Sequence, residues 1–160
     1  MLGFKRLLVA LALSSAFACL GSPPALAAGN PGRQPSPAPD MTGSWCGDAV
    51  GPILEHAIVN REYLKVYVSA DGTERDMVEG FLDTQLTVLA TGKTLLVNSS
   101  GPGSITFSGD SVTFVTQGHT LWSNDGPLMT GIWLFTGLVT WDTYPPTVHG
   151  STTDICAELR

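Results

Sequence analysis

Apolar and polar side chains alternate along much of this chain, and a period of two marks strands buried on one face. Leu64, Val66 and Val68 alternate with Tyr63, Lys65, Tyr67 and Ser69. Asp71-Gly72 supplies a tight-turn signal, and the more polar Thr73 to Leu82 reads as the returning strand. Gln85 to Thr91 alternates about Leu86, Val88 and Ala90; Gly92-Lys93 can turn the chain and Thr94 to Asn98 can return. The sharpest pattern is a hairpin over Ile105 to Phe114. With Gly109-Asp110 as its turn, Phe107 faces Val112, Ile105 faces Phe114 and Thr106 faces Thr113, giving one apolar and one hydroxylated face. Leu128 to Thr143, with Ile132, Trp133, Phe135, Val139, Thr140 and Trp141 among Gly131 and Gly137, reads as two strands or one bent one. Pro145-Pro146 breaks the run, and Thr147 to Leu159 can form a closing strand. Pro52 to Asn60 is ambiguous, because Ile53 with Ala57 and Leu54 with Ile58 also have helical spacing.

Many short strands set off by Gly, Pro, Asn and Asp turns predict an all-β domain, either a small antiparallel up-and-down β-barrel or a β-sandwich. Cys46 opens that domain and Cys156 stands almost at its end, so a Cys46–Cys156 disulfide is expected in an oxidising compartment. Bridged cysteines need Cα atoms within about 7 Å, which makes the first and last elements neighbours. Adjacent first and last strands would let a meander close on itself and lose its exposed edges.

The pattern before the domain is different. Met1 to Arg6 is a short cationic start, Leu7 to Leu20 is an apolar run of 14 residues, and Gly21 to Ala28 is mostly small. That is the layout of a secretory signal, with cleavage expected after Ala27. A bilayer span takes roughly 20 apolar residues, so a permanent transmembrane anchor is disfavoured. Ala16-Phe17-Ala18-Cys19 resembles a lipoprotein lipobox, the rival reading, but has Ala16 where Leu is expected and Phe17 where a small residue is. Residues 29 to 40 hold four prolines and no large apolar side chain, the composition of an extended linker. The organisation is therefore a signal peptide over 1–27, a Pro-rich linker over 28–40 and a single β domain over 41–160, in the periplasm or secreted.

Gly43-Ser44-Trp45 resembles the G-x-W that opens the first strand of lipocalins and related calycin barrels. The resemblance implies a β-barrel with Trp45 plugging one end. The family's later T-D-Y motif is missing, and Arg160 is the basic residue available to pack on the tryptophan. Met41-Thr42-Gly43-Ser44-Trp45 and Met129-Thr130-Gly131-Ile132-Trp133 share M-T-G-x-W, although their flanks do not match.

Charge narrows the partners. After cleavage the chain keeps six Lys or Arg against 14 Asp or Glu, a formal charge of −8. Its cations, Arg33, Arg61, Lys65, Arg75, Lys93 and Arg160, are scattered singly, so neither nucleic acid nor an anionic membrane surface is an expected partner. His56, His119 and His149 lack the spacings that bind zinc. The G-x-S-x-G, P-loop and dinucleotide fingerprints are missing too, so no metal, cofactor or catalytic residue is assigned. Asp71, Glu74, Asp76, Glu79 and Asp83 form an acidic cluster; Glu74 and Asp76 share one strand face, read as solvated.

Aromatic residues give the better lead. Trp122 follows His119 closely, and Trp141 and Tyr144 flank the Pro-Pro turn; such side chains at a barrel mouth can contact an apolar or sugar-like ligand. Trp45 and Trp133 are read as core. The expected function is a non-enzymatic exported binding module for a small apolar ligand or an exported protein, with Trp122, Trp141, Tyr144 and His119 as the candidate site. Its rivals are a small hydrolase or isomerase pairing a histidine with a carboxylate, and an enzyme inhibitor presenting the loop from Asn98 to Ser104.

Overall fold

The structure, a computed structural model, describes residues 32–126, 129–143 and 145–160. The expected signal segment, its expected cleavage point and Cys19 lie outside the described residues. Eleven strands and one short helix follow in chain order: β1 Gln34–Pro35, β2 Met41–Gly43, β3 Ile53–Asn60, β4 Tyr63–Val68, β5 Glu74–Glu79, β6 Leu82–Val88, β7 Thr94–Asn98, β8 Gly103–Ser108, β9 Ser111–Asn124, β10 Gly131–Thr140, β11 Thr147–Asp154 and α1 Ile155–Leu159. All ladders among them are antiparallel. They make a seven-stranded sheet, ordered β1-β4-β5-β8-β9-β10-β11, and a four-stranded sheet, β2-β3-β6-β7.

No closed barrel is found among the described strands. β2 and β11 stand at the edges of different sheets, and the Cys46–Cys156 bridge, with Cα atoms 5.3 Å apart, joins the segment after β2 to the helix that follows β11. Between the sheets lies the main core. Ile53, Leu86, Val88 and Val97 of the smaller sheet meet Ile132 of β10, with Trp45, Cys156 and Leu159 buried alongside. Leu121 and Leu134 pack against the same cluster. Ser123 of β9 crosses the interface to donate to Glu55 Oε2 at 2.8 Å.

The hairpin over Ile105 to Phe114 has the register its alternation predicts, with Phe107 opposite Val112, Thr106 opposite Thr113 and Ile105 opposite Phe114. Pro52 to Asn60 resolves as strand. Ile53 is completely buried, and β3 is hydrogen-bonded to β2 and β6 on its two sides, a ladder that local helical spacing cannot outweigh. The closing strand expected to run to Leu159 stops at Asp154, whose carboxylate accepts from the Ala157 N–H at 3.3 Å and caps a helical turn. Ile155 and Leu159, four residues apart, thereby both reach the core, and Cys156 sits on a helix. Part of the proline-rich stretch also joins the sheet. Gln34 and Pro35 pair with Leu64 and Tyr63, at an edge where proline's missing N–H is tolerated.

Gly118 of β9 stands opposite Gly137 of β10, which stands opposite Gly150 of β11, so a row of glycines crosses three strands. Gly118 and Gly137 have φ of +93° and +122°, and a Cβ on Gly137 would run into the His149 carbonyl oxygen. The strands bend there. Phe135 and Trp141 are six residues apart, roughly 20 Å along a straight strand, yet their ring centroids lie 5.6 Å apart.

Candidate functional site

Inside that bend the large sheet gathers its aromatic residues. In β9 the even positions Phe114, Thr116, Thr120 and Trp122 share a face, and the register places Val139, Phe135 and Trp133 of β10 beside Thr116, Thr120 and Trp122. The Trp141 N–H continues the ladder past the end of β10 by donating to the Phe114 carbonyl at 2.9 Å. Its indole becomes a hub. Trp122 lies 4.3 Å away between centroids, tilted by 34°; Phe114 stacks at 5.7 Å and 21°; Phe135 meets it edge-on at 87°. These offset and edge-to-face geometries are the attractive ones for aromatic rings. Phe135 and Val139 are almost wholly buried beneath, whereas Trp122, Trp141 and Phe114 are half-buried.

Thus two of the residues singled out in the sequence, Trp122 and Trp141, come together although 19 positions separate them. His119 does not join them. It falls on the opposite face of β9, paired across to Thr136, and is exposed. Tyr144 lies outside the described residues. Cys46 and Cys156 are joined.

The same face continues across β8, β5 and β4. Phe114 stands opposite Ile105, Ile105 opposite Asp76, and Asp76 opposite Val66, so a carboxylate lies in a row with apolar and aromatic side chains. The solvated position expected for Asp76 is therefore corrected: it is only 7% exposed. The register counted from the Asp71-Gly72 turn makes Asp76 share the face of Val66, which packs inward. Burial, and secondarily the charge of Glu74 two residues away, pushes the Asp76 carboxyl up to about 6.

Four buried polar atoms on this face have no hydrogen-bond partner among the described residues: Asp76 Oδ1, Thr116 Oγ1, Trp122 Nε1 and Trp141 Nε1. Buried polar groups are ordinarily paired, so four on one face is a concentration that calls for a physical reason. It combines an acceptor, a hydroxyl and two indole donors. Asp76, Thr116, Phe114 and Phe135 were not assigned to the candidate site from the sequence; for Asp76 the turn-derived register was the usable signal.

Elsewhere the chemistry is sparse. His56 Nδ1 lies 2.7 Å from Asp40 Oδ1, but that pair is exposed. Among the described residues no group of three His, Cys, Asp or Glu side chains is placed to hold a metal ion. Glu55 has its carboxyl raised by burial, opposed by the bond from Ser123. A shallow hollow of about 310 Å³ lies beside Val50, Val88, Lys93 and Leu159, where Lys93 Nζ donates to the Arg160 carbonyl at 2.7 Å. The loop from Asn98 to Ser104 does not project freely. Ser100 Oγ accepts from the Leu82 N–H at 2.8 Å, the Ser100 carbonyl accepts from the His119 N–H at 3.0 Å, and the Pro102 carbonyl from the Gln117 N–H at 2.8 Å. No described helix is long and apolar enough to cross a membrane. In comparison with known proteins, no family, no curated protein and no solved structure matches this chain.

Proposed function

We propose that this chain is an exported, non-enzymatic binding module that holds a small apolar ligand against the aromatic face around Trp141. The carrying observation is the meeting of Trp122, Phe114 and Phe135 on one indole, with the rings of Trp122, Trp141 and Phe114 only partly covered and two buried indole N–H groups lacking partners among the described residues. Such a face offers apolar area together with a few directed donors, the composition of small-molecule sites. Export is supported by the intramolecular bridge, which fits an oxidising compartment, and by the cationic, apolar and small-residue order of the first 28 residues. As for architecture, the sandwich alternative is favoured over the barrel by the core lying between two separate sheets.

Native mass spectrometry of protein purified from the exported fraction tests carriage. The expected result is an added mass that organic solvent releases. It should be reduced at least tenfold in the double variant Trp122→Phe, Trp141→Phe, which keeps ring packing and removes both indole donors. A mass that stays unliganded under gentle ionisation counts against the reading.

A further inference from the structure

Beyond the aromatic hub, the exposed part of the same face has an unusual composition. Val66 and Val68 on β4, Ile105 and Phe107 on β8, and Val112 and Phe114 on β9 form an apolar patch that is only partly covered, with Val68 and Val112 each more than a third exposed. In its midst stand two carboxylates. Asp76 lies between Val66 and Ile105, and Glu74 lies between Val68 and Phe107. No lysine, arginine or histidine shares this face in the rows that hold them: the positions opposite Glu74 and Asp76 on both neighbouring strands are Val or Ile or Phe. The cations of the same strands, Lys65 and Arg75, occupy the alternate positions and hence the other face. Lys65 is engaged there with Glu79, at 2.7 Å.

We propose that this patch binds an organic cation, a protonated or quaternary amine carrying an apolar body, with Asp76 as its principal counter-ion, Glu74 adding to the field and Phe114 supplying ring surface. The inference rests on the binding-module reading and names its ligand class. Three observations converge on it. A carboxylate oxygen of Asp76 is buried without any donor among the described residues, so it is short of positive charge. Glu74 lies two residues away on the same face, so a cation there relieves two negative charges at once. Phe114 is two strands from Asp76, about 10 Å between backbones. A ligand with its nitrogen at Asp76 can therefore lay an apolar body along Ile105 toward that ring, and cations within about 6 Å of a ring centroid are attracted by its quadrupole. An anionic ligand meets repulsion at this place, and a neutral one leaves the carboxylate unpaired.

The test uses the full chain with three probes of similar size: benzylammonium, benzyl alcohol and benzoate. Affinities are measured by calorimetry at pH 7.5 and, in parallel, by tryptophan fluorescence, for which Trp141 is a near reporter. Binding of the cation at least tenfold tighter than of the alcohol, with no benzoate binding, is the expected result. Asp76→Asn should cut cation affinity at least tenfold and leave alcohol affinity unchanged. Because that variant removes a buried charge without changing side-chain volume, it should fold, and circular dichroism checks that it does. Glu74→Gln should lower cation affinity by a smaller factor. Equal affinity for cation and alcohol, or an Asp76→Asn variant that binds the cation as wild type does, overturns the inference and leaves the binding module standing. Failure of all three probes also overturns it, and the native mass of the exported protein then decides the broader reading separately.

Discussion

A carboxylate set between Val66 and Ile105, its buried Oδ1 without a donor among the described residues, costs free energy whenever it is ionised, and that cost has a pH signature. The folded Asp76 holds its proton up to about 6 against 3.8 for the free side chain. Between those values the native state binds the extra proton. The penalty is therefore absent below the lower value, complete above the upper one, and stability falls as pH rises through the window. Glu74 is the charged neighbour on this face; the residues facing Asp76 from β4 and β8 are uncharged. Urea denaturation of wild type and Asp76→Asn should give equal stabilities near pH 4. By pH 7 the variant should be the more stable, by on the order of 2 kcal/mol. A constant difference across that range would mean the carboxyl does not titrate where its burial places it. The sequence made Trp122 and Trp141 visible as candidates because large aromatic residues near turns stand out. It could place Glu74 and Asp76 on one face, and the register across the Asp71-Gly72 turn sets that face beside Val66, but the continuation of the row to Ile105 depends on a strand far away in sequence.

At the scale of elements, the row of Gly118, Gly137 and Gly150 is what folds β9 and β10 back over their own aromatic residues. Alanine at 137 would need a φ of +122° and would press its Cβ on the His149 carbonyl, so Gly137→Ala should cost more than about 3 kcal/mol or prevent folding. Gly109→Ala, at a hairpin turn where a Cβ meets open space, should cost about 1 kcal/mol. Chemical denaturation midpoints compare the two. Similar losses would mean that the bend does not depend on glycine at 137. The local hairpin at Gly109 was readable, register included, because ten residues contain all the information it needs. The pairing of β1 with β4 and of β3 with β6 was not, because each joins segments that are far apart and fixed only by the assembled sheets. Nor was the turn of helix after Asp154, where alternation continues in sequence but Ile155 and Leu159 bury better four residues apart.

Across the whole molecule, the bridge joins positions separated by 110 residues and ties the segment after β2 to the helix that follows β11. In the chain-entropy account, closing a loop of about that length stabilises a fold by roughly 4.7 kcal/mol. Reduction should accordingly lower the thermal midpoint by on the order of 10 °C, read by calorimetry with and without a thiol reductant. A midpoint indifferent to reductant would show that the packed interface around Ile53, Leu86 and Ile132 holds the sheets together unaided. The placement of the sulfurs has a mechanical side as well. When the polypeptide is pulled from its two ends, tension runs from residue 46 straight into residue 156, and the stretch from β3 to β11 bears no load until the covalent shortcut is cut.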